Sequence, residues 1–146
     1  MAKKIIMSLI FACVGVSTEV FFTAFHELIS AVSKGTHAGD YSLMGKSYVW
    51  MLFIYASIPF FIRTIFPDVH KPHLIIKAFV GVIFIYIVEY FSGWVLELFT
   101  GRCPWKYEEG WHIHGYIRLD FAPAWFVFAL MILLIYKVLH ERIVER

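Results

Sequence analysis

Residues 74–99 read LIIKAFVGVIFIYIVEYFSGWVLELF, an apolar run whose only charged members are Lys77, Glu89 and Glu97. As an α-helix this stretch would be roughly 39 Å long, more than the ~30 Å hydrocarbon core of a bilayer. A helix apolar on every side is solvated by lipid or buried in a large core, and this chain is too short to build such a core. Three more runs, residues 5–32, 48–66 and 119–139, come near or exceed the roughly 20 residues that a spanning helix needs. Composition agrees, with 60% hydrophobic and 16% charged residues and a mean hydropathy of +0.72. The sequence therefore predicts an all-α integral membrane bundle of four transmembrane helices, forming one membrane domain over residues 1–146.

Four spans put both termini on one side. Lys3, Lys4, Arg63, Lys71, Lys77, Lys137, Arg142 and Arg146 lie on that side, against Lys34, Lys46, Arg102, Lys106 and Arg118 on the other. The excess places both termini in the cytoplasm. Lys3 and Lys4 before an apolar run imitate a signal peptide, and Ile10-Phe11-Ala12-Cys13 approaches a lipoprotein cleavage site. Bulky Phe11 argues against cleavage, so the first helix is expected to stay. No myristoylation or prenylation signal is read at either end.

Sliding the chain by 70 residues superposes Glu19 on Glu89, Phe21 on Phe91, Glu27 on Glu97, Leu28 on Leu98 and Gly45 on Gly115. Ile5, Ile6, Ile62, Ile65 and His70 also meet identical residues in this register. The halves, about 1–70 and 71–146, read as two related helical hairpins of the same topology. Coincidence among abundant Ile, Leu and Phe is the competing explanation.

The glutamates carry the functional question, because a carboxylate toward the bilayer centre costs roughly 2.5–3.5 kcal/mol on insertion scales. Glu19 and Glu89 would each lie roughly 21–22 Å from the start of their helix, and Glu27 and Glu97 about 12 Å further out. The connector of residues 100–118 adds Trp105, Tyr107, Trp111, His112, His114 and Tyr116, while Arg118 and Trp125 open the fourth helix. An outward-facing pocket lined by Glu19, Glu89, Glu27, Glu97, Trp105, Tyr107, Arg118 and Trp125 is expected, with Arg118 placed to pair with one inner carboxylate. The plainer readings are an interfacial aromatic belt, outer glutamates facing headgroups, and an interhelical hydrogen-bonded pair.

Other chemistry is weakly supported. His112 and His114, with Glu27 or Glu97, offer nitrogen and oxygen ligands to a metal, but His-x-His in a loop is a weak signal. No resident cofactor is predicted. Gly45-Lys46-Ser47 imitates the tail of a phosphate-binding loop, yet Asp40 stands where that loop needs glycine and Gly39 is one residue off, so nucleotide hydrolysis is rejected. His26 and Cys103 make no convincing base and nucleophile. Cys13 and Cys103 are expected to differ too much in depth to bridge. A net charge of +2, without a basic run, gives no reason to expect nucleic acid as a partner. Pro59 and Pro123 are expected to bend helices or mark their first turns, and Gly93 to be a close-packing site.

Glu89-Tyr90-Phe91-Ser92-Gly93, Leu96-Glu97, Cys103-Pro104-Trp105-Lys106-Tyr107, Gly115-Tyr116-Ile117 and Trp125 form a pattern, joined by Glu19-Val20, Phe22-Thr23-Ala24, Val49-Trp50 and Phe53-Ile54-Tyr55. It resembles the transmembrane protein 229 family and its bacterial relatives, the ABC-transporter type IV (CmpB-like) family. The resemblance covers most of the chain and implies a small multipass membrane protein, without an established activity. That family's loop reads Trp-Asp-Tyr-Ser where this chain has Trp105-Lys106-Tyr107-Glu108, so a loop carboxylate would have to come from Glu108 or Glu109.

Three functions are open on the sequence. The first is binding, with or without translocation, of a small polar or cationic ligand at Glu19 and Glu89. The second is an accessory subunit of a larger membrane complex, or a homo-oligomer, in which the glutamates organise packing. The third is a membrane-embedded enzyme using paired carboxylates, although the chain leans away from catalysis.

Overall fold

A computed structural model describes residues 2–36, 42–67 and 73–144. Gly39, Asp40, His70, Lys71 and Arg146, used in the sequence argument, lie outside them. The elements are α1 (Ala2–Ser33), α2 (Val49–Ile65), α3 (Leu74–Thr100), β1 (His112–Ile113), β2 (Ile117–Arg118), a 3-10 turn (Leu119–Phe121), α4 (Ala122–Leu139) and a closing π-turn (His140–Val144). All four expected helices form. Residues Ala2–Ser33, Leu74–Thr100 and Leu119–Val144 are long and apolar enough to cross a membrane, whereas α2 has 17 residues. At 1.5 Å per residue α2 covers about 26 Å, short of a full hydrocarbon core. Tyr48, expected at its start, belongs instead to the connector before it.

The chain divides into two compact units, Met1–Ile65 and Phe66–Arg146. In the first, α1 packs antiparallel on α2. Met7, Phe11 and Gly15 recur every fourth residue of α1 and are buried, and Tyr55, Pro59 and Ile62 supply the buried face of α2. The Tyr55 ring sits on Gly15, where a Cβ would overlap it. Pro59 lies inside α2 and withholds one backbone donor from the helix ladder there.

In the second unit α3 packs antiparallel on α4. Phe79 and Phe126 meet at 4.7 Å between ring centroids, and Ala129 lies against Gly81. Ala78 and Val82 of α3, with Ala129, Ile132, Leu133 and Tyr136 of α4, form the buried seam. Pro123 occupies the first turn of α4, where its missing N–H would have no helical acceptor. Most other large apolar side chains, from Ile5 to Val138, are exposed, as lipid-facing residues are.

Between α3 and α4 the connector folds back as a small antiparallel hairpin pairing His112 with Arg118 and Ile113 with Ile117. His114 (φ 53°) and Gly115 (φ 75°) are both left-handed, and Tyr116 N–H donates to the Ile113 carbonyl at 3.0 Å. This is the two-residue turn that suits strand twist, and glycine takes its second position without steric cost. Cys13 is exposed and Cys103 buried, and neither forms a disulfide.

Candidate functional site

The first helix of each unit carries glutamates eight residues apart, and the connector that follows it reaches both. In the first unit Lys46 Nζ lies 3.2 Å from Glu27 Oε1, while the next residue, Ser47, donates its hydroxyl to Glu19 Oε2 at 2.8 Å. Tyr55, nearly two turns into α2, donates to the same oxygen at 3.3 Å. The backbone crosses α1 between these contacts. Lys46 N–H donates to Thr23 Oγ1 at 2.9 Å, and Gly45 rests on the Val20 carbonyl so closely that a Cβ would overlap the carbonyl oxygen. Only glycine permits that approach.

In the second unit Lys106 Nζ lies 2.7 Å from Glu97 Oε2, and the next residue, Tyr107, donates its hydroxyl to Glu89 Oε1 at 2.9 Å. The crossing point is Gly93, whose missing side chain leaves room for Cys103 Sγ, Tyr116 Cδ1 and Trp105 Nε1, all within 3.3 Å of where a Cβ would stand. Lys106 also lies over the Tyr116 ring, 4.4 Å from its centroid, a cation–π geometry. Gly101 (φ 76°) ends α3 and donates its N–H to the Glu97 carbonyl. The Tyr107 N–H donates to the Gly115 carbonyl at 2.9 Å, which ties the Lys106-Tyr107 segment to the hairpin.

Arg118, expected to pair with an inner carboxylate, instead holds Asp120 at 2.8 Å and stacks over Phe121 at 4.4 Å. Asp120 is two residues away and costs no descent into the apolar region, so the local partner wins. Tyr107 reaches Glu89 in its place. Trp105 packs on the Gly93 face, and Trp125 sits on α4 against Phe128. Trp111 stays exposed, as an interfacial tryptophan does. His114 Nδ1 is 2.7 Å from Tyr90 OH and His112 lies in β1. Among the described residues no three His, Cys, Asp or Glu side chains gather as metal ligands do.

The connector's own groups are shifted by these contacts. The Glu97 carboxylate holds the Lys106 ammonium above its ordinary range, and burial pushes the Cys103 thiol up, away from the reactive thiolate. A raised lysine favours the folded connector below its unfolded pKa of 10.5 and loses that contribution as pH climbs through the higher folded value. Trp105 emission should therefore be flat from neutral pH to about pH 10 and change only above it. Lys106→Gln should reduce that alkaline transition, leaving the part contributed by the Cys103 thiol and the Tyr116 hydroxyl, which also titrate above their ordinary values.

The 70-residue register found the glutamates and missed their partners. It sets Lys46 opposite Tyr116, and Lys106 opposite Thr36. The recurring signal was a lysine followed by a hydroxyl residue in the connector after each unit's first helix, at unequal distances from that helix. Gly45 and Gly115, identical in that register, serve different ends: one is a close crossing and the other a left-handed turn.

Apolar helices long enough to cross a membrane, joined by polar connectors, define a multipass membrane protein. The chain belongs to the family described as "Putative ABC-transporter type IV", whose model matches residues 6–146. No solved structure matches it.

Proposed function

We propose that this protein binds small cations at Glu19 and at Glu89 as a step in transport, with both termini in the cytoplasm and the carboxylates opening outward. The observation that carries the reading is the company Glu19 keeps. Its side-chain partners among the described residues are the neutral hydroxyls of Ser47 and Tyr55, whereas the outer Glu27 is matched by Lys46. Neutral donors solvate a carboxylate without cancelling its charge. An incoming cation that displaces a hydroxyl gains a charge-assisted hydrogen bond, roughly twice as strong as a neutral one. Glu89 likewise accepts a hydrogen bond from a neutral hydroxyl, that of Tyr107, at 2.9 Å.

Guanidinium is a suitable probe, being small, always charged and able to bind carboxylates bidentately. Proteoliposomes carrying the full chain should accumulate radiolabelled guanidinium saturably. Glu19→Gln or Glu89→Gln should each weaken binding at the altered carboxylate about tenfold, or ~1.4 kcal/mol. Absence of binding and uptake by the parent, or variants equal to it, would defeat this reading.

A second reading has its own support. The family description names an ABC transporter, and such transport needs nucleotide hydrolysis, for which the sequence reads no complete phosphate-binding loop. Lys46 and Ser47, the residues that imitate a phosphate loop, are committed to Glu27 and Glu19 in a non-helical connector. The chain would then serve as a membrane subunit beside a separate ATPase. Recovery from mild detergent as a lone monomer, with no cross-linked partner, would oppose this arrangement.

A further inference from the structure

We infer that the chain holds two separate cation-exchange sites, one in each unit, each closed by its own lysine latch: Lys46–Glu27 over Glu19, and Lys106–Glu97 over Glu89. This rests on the binding role proposed for the inner carboxylates and adds the number of sites and what controls access to them.

The geometry is the same twice over, with different side chains. Glutamates eight residues apart on a helix are about 12 Å apart along its axis. One crossing connector can reach both only if consecutive side chains diverge, as they do in extended backbone. Lys46-Ser47 and Lys106-Tyr107 both do so: the lysine takes the outer glutamate and the hydroxyl takes the inner one. The crossings fall at Thr23 and Gly93, each four residues from both glutamates of its helix. Because the lysine and the hydroxyl are neighbours in sequence, freeing the lysine loosens the hydroxyl that covers the inner carboxylate.

The latches are built to open. Ion pairs this exposed contribute little and are screened by salt. The side chains of Lys46 and Glu27 are 72% and 51% exposed, those of Lys106 and Glu97 39% and 34%. The first site should therefore open at lower ionic strength than the second.

Labelling of the full chain in liposomes with a membrane-permeant carbodiimide, read at each carboxylate by mass spectrometry, tests the assignment. Lys46→Gln should raise labelling of Glu19 about threefold and leave Glu89 unchanged, and Lys106→Gln should do the reverse, a change within the range of an exposed ion pair. Lys46→Arg and Lys106→Arg, which keep the charge and report on folding, should restore the parent pattern. Either glutamine variant raising both carboxylates together, or neither, would overturn the separate latches. Flow dialysis with guanidinium should count two equivalents per chain. One equivalent would overturn the two-site assignment while leaving the binding reading intact, and none would overturn both.

Discussion

Gly45→Ala should destabilise the first unit by about 2–4 kcal/mol, seen as a lower midpoint of thermal unfolding in detergent. The added methyl would collide with the Val20 carbonyl, and a backbone group inside α1 cannot rotate away as a side chain end can. The connector must lift instead. That would break the Lys46 N–H to Thr23 bond, the Lys46–Glu27 pair and the Ser47–Glu19 bond together. The same substitution should therefore expose Glu19 to carbodiimide, which ties a stability measurement to the site. An alanine variant as stable as the parent would mean that the connector does not cross α1 at this distance.

The largest functional effect is expected from replacing both inner carboxylates. Glu19→Gln combined with Glu89→Gln should weaken guanidinium binding at both sites, about tenfold or ~1.4 kcal/mol at each, so that no unweakened site remains. Glutamine keeps an acceptor oxygen for Ser47, Tyr55 and Tyr107, so the connector contacts can persist. Removing two carboxylates from apolar surroundings should leave thermal stability equal or higher. Loss of binding without loss of stability separates a ligand-binding role from a packing role. A double variant that binds normally but melts early would assign the glutamates to packing.

Much of the fold was legible because lipid-facing helices advertise themselves by length and apolarity. Residues 74–99 became α3 with one residue added, and residues 119–139 became a 3-10 turn and α4. The shorter α2 was less legible: Tyr48 is as compatible with an interfacial connector as with a helix, and the local backbone decides. The glutamates stood out by their cost in lipid. Their partners did not, because a lysine or a tyrosine in a polar loop carries no mark of the helix face it will cover. Arg118 shows the opposite error, since a charge able to descend toward an inner carboxylate had a carboxylate two residues away in Asp120. Gly93 was legible as a close approach, but not what approaches it, since Cys103, Trp105 and Tyr116 arrive there only through the connector's turn and hairpin.

The most direct test of the central claim, that the inner carboxylates are the cation-binding groups, is infrared difference spectroscopy of the reconstituted protein on addition of guanidinium. The parent should show a shift of the carboxylate antisymmetric stretch, reduced in Glu19→Gln and in Glu89→Gln and absent when both are replaced. A carboxylate spectrum that guanidinium leaves unchanged, or one that shifts equally in the double variant, would show that the inner carboxylates do not bind the cation.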